Sequence, residues 1–251
     1  ATRFMVDLKA GWTVSIEKTG TDYSHAAVIE GPNPVLPGNS DNINLRGTGG
    51  RPNLVWTSNT VGITFLSYIY IENLAFLNTS ATKTLASALS FDASCGATQH
   101  NVIRDVLFDG WNNAVAGSCG HLTLYNSEIR NGAATGFGPL AGMRAFVVAN
   151  YIHNNAGPGV GGAGGGGCGR CLYLYNVSAN NTTGTGHGFL FNTGAPAGGA
   201  PNSFHNTAYG NAGSGLILGI SFSMKLYSLQ GNHVSYVFLE GHFRIVTRTP
   251  R

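Results

Sequence analysis

Apolar and polar residues alternate one by one in short stretches that recur along most of this chain. In five stretches the apolar residues stand two and four positions before a polar residue: Ile69 and Ile71, Leu122 and Leu124, Phe146 and Val148, Leu172 and Leu174, and Met224 and Leu226. A period of two residues is typical of a β-strand with one buried face, whereas a helix repeats every 3.6 residues. The pattern predicts short strands whose apolar side chains, in these five stretches, point inward.

The polar residue after each strand belongs to a longer repeat. Seven copies begin, at steps of 21 to 32 residues, with Asn73, Asp105, Asn126, Asn150, Asn176, Asn206 and Ser228. Five of these residues, all asparagines, are followed five positions later by a second asparagine: Asn78, Asn131, Asn155, Asn181 and Asn211. Self-similarity at such a period is the signature of a solenoid.

A second short alternation follows the polar residue, as in Leu74 and Phe76. A strand, a polar corner, a second strand and a glycine-rich return make up one coil of a parallel β-helix, whose coils stack about 4.8 Å apart. The predicted fold class is all-β, a parallel β-helix solenoid of about ten coils. Its first coils would use strands around Phe4–Leu8, Ala26–Ile29 and Ile43–Leu45. We expect one domain over residues 1–251, irregular over 1–60 and regular over 61–251.

The asparagines at the corners have a physical explanation. A short amide offers two donors and an acceptor, so stacked asparagines can bond one another and the backbone of the turn. Asparagine also tolerates the left-handed conformation that tight corners need. We therefore predict one structural ladder of amides: Asn73, Asn126, Asn150, Asn176 and Asn206. The alternative, that asparagine is merely common in loops, does not explain the fixed five-residue pairing.

The stretches LYNVSANN, FVVANYIHNNAGPGV and FHNTAYGNAGSGLIL carry the repeat most clearly. They resemble the right-handed parallel β-helix superfamily, the pectate-lyase-like fold, and within it the generic repeat subclass. The match runs from Tyr68 to about Glu240. The resemblance implies a right-handed solenoid but does not select a function, because the superfamily includes lyases, hydrolases, epimerases, phage tailspikes and passive surface proteins.

Composition excludes two classes of partner. Charged residues make up 10% of the 251, and a net charge of +3 without a basic run argues against nucleic-acid binding. No apolar stretch approaches the eighteen residues of a membrane span. No cofactor and no metal site are predicted, because the chain has no carboxylate cluster of the calcium-binding kind and only a single CxxC motif.

The cysteines favour an extracellular protein with disulfides. Cys95 and Cys119 are one coil apart, so stacking would bring them within disulfide range, although two buried free thiols are the alternative. Cys168 and Cys171 form the CxxC, for which a local disulfide is favoured over a redox or zinc site. A chain that begins at Ala1 is also what removal of a signal peptide would leave.

Two sets of side chains are candidates for chemistry. An outward stripe of rings could bind sugars, although tyrosine also favours strands without a ligand: Tyr125, Tyr173, Tyr175, His205 and Tyr227. A lyase would need a base near a cation, and a glycosidase would need paired carboxylates. The candidates for these roles are Arg104, Arg130, Arg144, His153, Tyr125, Asp92, Asp105, Asp109 and Glu128.

Two hypotheses about function remain. The first is an extracellular structural protein that self-associates into a fibre, sheath, coat or virion appendage. Its contacts would be the end coils, Ala1–Lys9 and His242–Arg251, where no capping helix is evident. The second is a secreted polysaccharide lyase, glycoside hydrolase or tailspike-like glycan-binding protein. The first is preferred, because no specific catalytic motif is present.

Overall fold

The computed structural model describes twelve ranges of the chain: 13–24, 43–65, 69–84, 86–91, 100–117, 121–138, 144–161, 171–183, 185–191, 202–218, 234–239 and 242–247. These ranges contain 24 strands. No helix within them is long and apolar enough to cross a membrane. The architecture is therefore built from strands and corners wherever the structure describes it.

Two long parallel sheets dominate the molecule. Sheet A has eight strands, in spatial and chain order β1 (Thr13–Glu17), β3 (Ile43–Thr48), β6 (Ile69–Glu72), β9 (His100–Arg104), β12 (His121–Tyr125), β14 (Arg144–Val148), β17 (Leu172–Leu174) and β20 (Asn202–Phe204). Sheet B also has eight: β2 (Tyr23–Ser24), β4 (Asn53–Trp56), β7 (Ala75–Asn78), β10 (Leu107–Asp109), β13 (Glu128–Arg130), β15 (Tyr151–His153), β18 (Val177–Ala179) and β21 (Thr207–Tyr209). Each sheet A strand is followed one corner later by a sheet B strand, so the chain winds as stacked coils.

A third face completes the coils. Its parallel strands are β5 (Ile63–Phe65), β8 (Ser87–Phe91), β11 (Asn113–Gly117), β16 (Val160–Gly161), β19 (Phe189–Phe191) and β22 (Leu216–Leu218). A single bridge from Phe137 to Val160 continues it between β11 and β16. The hairpin of β23 (Val234–Leu239) and β24 (His242–Thr247) then adds to β22 in antiparallel fashion. The His242–Thr247 part of the predicted end contact therefore pairs within the chain, and Ala1–Lys9 lies outside the described residues.

These features confirm the predicted fold class, a parallel β-helix solenoid with amides bonded between coils. Among the described residues we number the coils one to eight by their sheet A strands, and the total of about ten coils stays a prediction. Ile43–Leu45 lies in β3 as expected. The strands expected at Phe4–Leu8 and Ala26–Ile29, and the copy that begins at Ser228, lie outside the described residues.

The core is built from buried side chains that stack at equivalent or neighbouring positions of successive coils. In sheet B, Phe76 and Phe108 are paired in register and stack at 5.5 Å between ring centroids. Trp56 stacks on Phe76 at 5.8 Å, and Trp111 meets Trp56 edge-on at 5.3 Å. All four rings are at most 2% exposed. Offset aromatic pairs add to the hydrophobic gain, so this column anchors the N-terminal coils.

The first corner carries two columns of residues rather than the single ladder that was predicted. The outer column has left-handed backbone, with φ between 47° and 56°: Asn73, Asp105, Asn126, Ala149, Tyr175 and His205. The inner column follows one residue later and contains the Ser127 hydroxyl and the bonded amides of Asn150, Asn176 and Asn206. Asn73 and Asn126 are therefore not stacked on Asn150, although all five asparagines lie at the same corner.

The inner column forms a continuous hydrogen-bonded ladder. Asn150 Nδ2 donates to Asn176 Oδ1 at 2.9 Å, and Asn176 Nδ2 donates to Asn206 Oδ1 at 2.9 Å. The backbone N–H groups of Asn150 and Asn176 donate to the same oxygens at 3.0 and 2.8 Å. A second ladder of the same kind, at the next corner, joins Asn155, Asn181 and Asn211. Each amide thus satisfies backbone groups that the corner withdraws from the sheets.

This one-residue offset also reverses the face of two strands. Val147 is fully buried and Phe146 is 49% exposed, so β14 buries the opposite set from the one predicted. In β17, Tyr173 is buried at 1% exposure, whereas Leu172 and Leu174 are half-buried on the outer side. The prediction that Phe146, Val148, Leu172 and Leu174 point inward is wrong, because a shift of one residue exchanges the two faces of a strand.

Candidate functional site

Four of the predicted chemical residues meet on the outer face of sheet B. The register places Asp109, Arg130 and His153 side by side on β10, β13 and β15. Glu128 stands two residues before Arg130 and therefore on the same face. Arg130 Nε lies 2.8 Å from Asp109 Oδ2, and Arg130 Nη1 lies 2.9 Å from Glu128 Oε1. The same Glu128 oxygen lies 3.1 Å from His153 Nε2.

The two carboxylates hold the Arg130 guanidinium in its charged form. Partial burial alone would lower the pKa of Arg130, but the hydrogen bond and charge of Asp109, together with those of Glu128, outweigh burial and raise it. A base must give up its proton before it can accept one from a substrate. Arg130 is therefore held as a charged, ion-paired group, and its role as the base of a lyase stays a prediction.

Two tyrosines that the sequence did not single out complete this group. The Tyr151 ring stacks on His153 with centroids 4.1 Å apart and planes 18° apart. Its hydroxyl lies 3.3 Å from the Tyr209 hydroxyl, two coils away. Tyr151 is 37% and Tyr209 is 44% exposed, so both rings reach solvent. We call this group the sheet B cluster: Asp109, Glu128, Arg130, Tyr151, His153 and Tyr209.

The other catalytic candidates that the structure describes lie on sheet A or at the corner that follows it. Arg104 Nε is 3.0 Å from Asp105 Oδ2, and Arg104 Nη2 is 3.4 Å from Glu72 Oε1. The hydrogen bond to Asp105, then the charges of Tyr70 and Glu72, raise the pKa of Arg104. Tyr125 is its register neighbour on β12. The candidates therefore divide between two sheets and do not form one catalytic group.

Arg144 also lies on sheet A, beside two histidines. Register aligns His100, His121 and Arg144 in one outer row, and Arg144 Nη1 lies 3.3 Å from His121 Nε2. Burial, then the charges of His100 and Arg144, lower the pKa of His121. This row of three side chains forms a basic edge of the sheet. The last catalytic candidate, Asp92, lies outside the described residues.

The predicted stripe of rings is interrupted. Tyr173 belongs to the core, where burial raises the pKa of its hydroxyl, so it cannot take part in an exposed stripe. Tyr175 and His205 occupy the left-handed column and stack on each other at 5.2 Å and 10°. Tyr125 is 44% exposed on the sheet itself. Tyr227 lies outside the described residues.

A contiguous apolar surface covers the outer face of sheet A in coils five to eight. We call it the sheet A patch: Tyr125, Phe146, Val148, Leu172, Leu174, Tyr175 and Phe204. Its four aromatic side chains are 39% to 60% exposed. Because a Phe or Tyr has about 150–250 Å² to bury, these rings alone present roughly 400 Å². A patch of that size on a single chain is commonly a site of interaction.

Cys171 is the one cysteine among the described residues. It is buried, its sulfur accepts a hydrogen bond from the Ala145 N–H at 3.2 Å, and it is not a free thiol. Cys95, Cys119 and Cys168 lie outside the described residues, so both disulfide pairings stay predictions. Within the described ranges, no three His, Cys, Asp or Glu side chains are placed to hold a metal ion.

No protein-family model matches this chain, and no curated protein matches it significantly.

Proposed function

We propose that this protein is an extracellular structural subunit that assembles through its surface, as in a fibre, sheath, coat or virion appendage. The observation that carries the proposal is the sheet A patch. Burial of apolar surface is worth about 25 cal/mol per Å², so a partner that covers roughly 400 Å² would gain close to 10 kcal/mol before the losses of association. Such a surface on a regular solenoid favours packing against another extended face.

The state of the arginines supports assembly over catalysis. Arg104 and Arg130 are each paired with two carboxylates, which stabilise the charged form of each guanidinium. The carboxylates Asp109 and Glu128 share one guanidinium between them instead of flanking an open cleft. Such ion pairs join neighbouring coils on their outer faces, which suits a structural role.

Introducing a charge into the patch tests the proposal. Phe146→Lys should abolish self-association, because the lysine would have to be desolvated in the apolar contact. Thr207→Lys makes the same charge change at an exposed position on sheet B and should associate like the unchanged protein. Sedimentation velocity over a range of concentrations measures both. Monomers at every concentration for the unchanged protein would refute the assembly proposal.

The sheet B cluster supports a second candidate function, contact with a glycan. Tyr151 and Tyr209 offer ring faces for the C–H surfaces of sugars, and Glu128 and Arg130 next to them offer an acceptor and a donor for hydroxyl groups. A structural role for the same residues is the competing explanation, because stacked rings stabilise a sheet without any ligand.

Two matched substitutions separate these explanations. Tyr151→Ala should weaken oligosaccharide binding about tenfold or more, whereas Tyr125→Ala, on sheet A, should leave it unchanged. Calorimetry with oligogalacturonate and with cellohexaose measures the affinities, and thermal unfolding checks that both variants fold. If neither sugar binds the unchanged protein, the cluster is structural. If the protein cleaves either oligosaccharide, the result supports the enzyme hypothesis over both proposals.

A further inference from the structure

We infer that the sheet A patch is covered by the sheet A patch of a second copy of this chain, with the two solenoids antiparallel. The inference rests on the proposed assembly function and names the partner and its orientation. It follows from three properties of the patch: its size, its layout in rows, and the charged surface that adjoins it.

The size of the patch suits one sheet-to-sheet contact. A standard interface buries about 800 Å² on each partner, with an apolar centre and a polar rim. The aromatic rings of the patch supply roughly half of that area as the centre. The basic row with His100, His121 and Arg144 runs along one border and can serve as the rim.

The layout of the patch is self-complementary. One row holds Tyr125, Val148, Leu174 and Phe204, in coils five, six, seven and eight. A two-fold axis along the strands, between coils six and seven, sets Tyr125 of one copy opposite Phe204 of the other. It also sets Val148 opposite Leu174, so each apolar residue in the row meets an apolar residue. Twofold contacts of this kind are the commonest in homo-oligomers, and sheet faces pack about 10 Å apart.

The charged surface selects the antiparallel orientation. In coils two to four the same row holds Arg46, Glu72 and Arg104. Their ion pairs are long, at 3.4 Å, and the arginine side chains are 59% and 42% exposed, so water solvates them. A parallel pair, with each coil beside its own copy, would bury these ions at a cost in desolvation. In the antiparallel pair none of coils two to four faces a residue of the sheet A patch, because the patch ends at coil eight and coil four lies opposite the position after it.

Mixing two charge variants tests the pairing of rows. Val148→Lys alone and Leu174→Glu alone should each weaken the dimer by about 100-fold, because each introduces a charge opposite an apolar residue. Mixed in equal amounts, they should form a heterodimer in which one introduced lysine faces one introduced glutamate. The mixture should therefore associate at least about tenfold more tightly than either variant alone. Circular dichroism and thermal unfolding confirm that each variant is folded.

A distance measurement tests the orientation separately. Ser15 is exposed on the outer face of coil one, so a ketone-bearing amino acid placed there can take a spin label without involving the cysteines. In the antiparallel pair the two labels are eleven coil spacings apart, roughly 55 Å by pulsed electron resonance. A parallel pair would place them within roughly 25 Å.

The outcomes distinguish this inference from the function on which it rests. A long distance together with recovery of association in the mixture supports the antiparallel pair. A short distance, or a mixture no tighter than its components, overturns the inference while assembly through the patch stands. A protein that remains monomeric at every concentration overturns both.

Discussion

Replacing Asn176 by glycine is expected to lower the free energy of unfolding by about 2–4 kcal/mol. Asn176 is fully buried, and its Oδ1 accepts from the backbone N–H of Asn150. Its Nδ2 donates to the Val147 carbonyl at 2.7 Å and to Asn206 Oδ1 at 2.9 Å. Glycine leaves these groups without their partner in a site closed to water. Urea unfolding, followed by circular dichroism, measures the loss.

The matched control is Asn126→Gly, which replaces the same residue type at the same corner. Asn126 belongs to the left-handed column, with φ of 47°, and its side chain is exposed with one bond, to Asp105. Glycine favours that backbone, which offsets the lost bond, so the change should be below about 1 kcal/mol in either direction. Equal losses at both positions would refute the two-column description of the corner.

Phe76→Ala is expected to destabilise the protein by about 3–5 kcal/mol. Phe76 is fully buried and stacks between Trp56 and Phe108, so alanine leaves a cavity in the aromatic column. Phe146→Ala is the matched control, because Phe146 is 49% exposed and should cost less than about 1 kcal/mol. Chemical unfolding of the two variants measures the difference. A larger loss of stability at Phe146 than at Phe76 would indicate that Phe146 points into the core, as the sequence pattern predicted.

The strands and their parallel stacking could be predicted because the asparagines recur at coil length. The face of each strand could not, because both phases of the later strands are apolar. In β14 the alternatives are Ala145 and Val147 against Phe146 and Val148. The asparagine did not resolve the phase, since it suits the left-handed column in some coils and the bonded column in others. Ser127, which takes the ladder position after Asn126, is the signal that could have marked the offset.

The sheet B cluster was only partly accessible from the sequence. Asp109 and Glu128 do lie at different positions along their strands. The Arg130 side chain is long enough to bond both carboxylates. The Tyr151 contact to Tyr209 depends on how two corners set the register across three coils. The sheet A patch was hidden by the same phase error that assigned Phe146 and the leucines of β17 to the core.

The ladders have a polarity that makes one coil interchangeable with another. Between side chains the amides donate toward the coil that follows and accept from the coil that precedes, as Asn176 does between Asn150 and Asn206, and each of these three amides also donates to a backbone carbonyl of the preceding coil. The hydrogen-bonding groups that a coil presents to the next coil therefore match those that it presents to the preceding coil. A tandem duplication of the segment from 176 to 205 would find the same donors and acceptors at both joints. Duplication or deletion of such segments would thus lengthen or shorten the solenoid by whole coils, and the length of an assembly could change without a change in its contacts between coils.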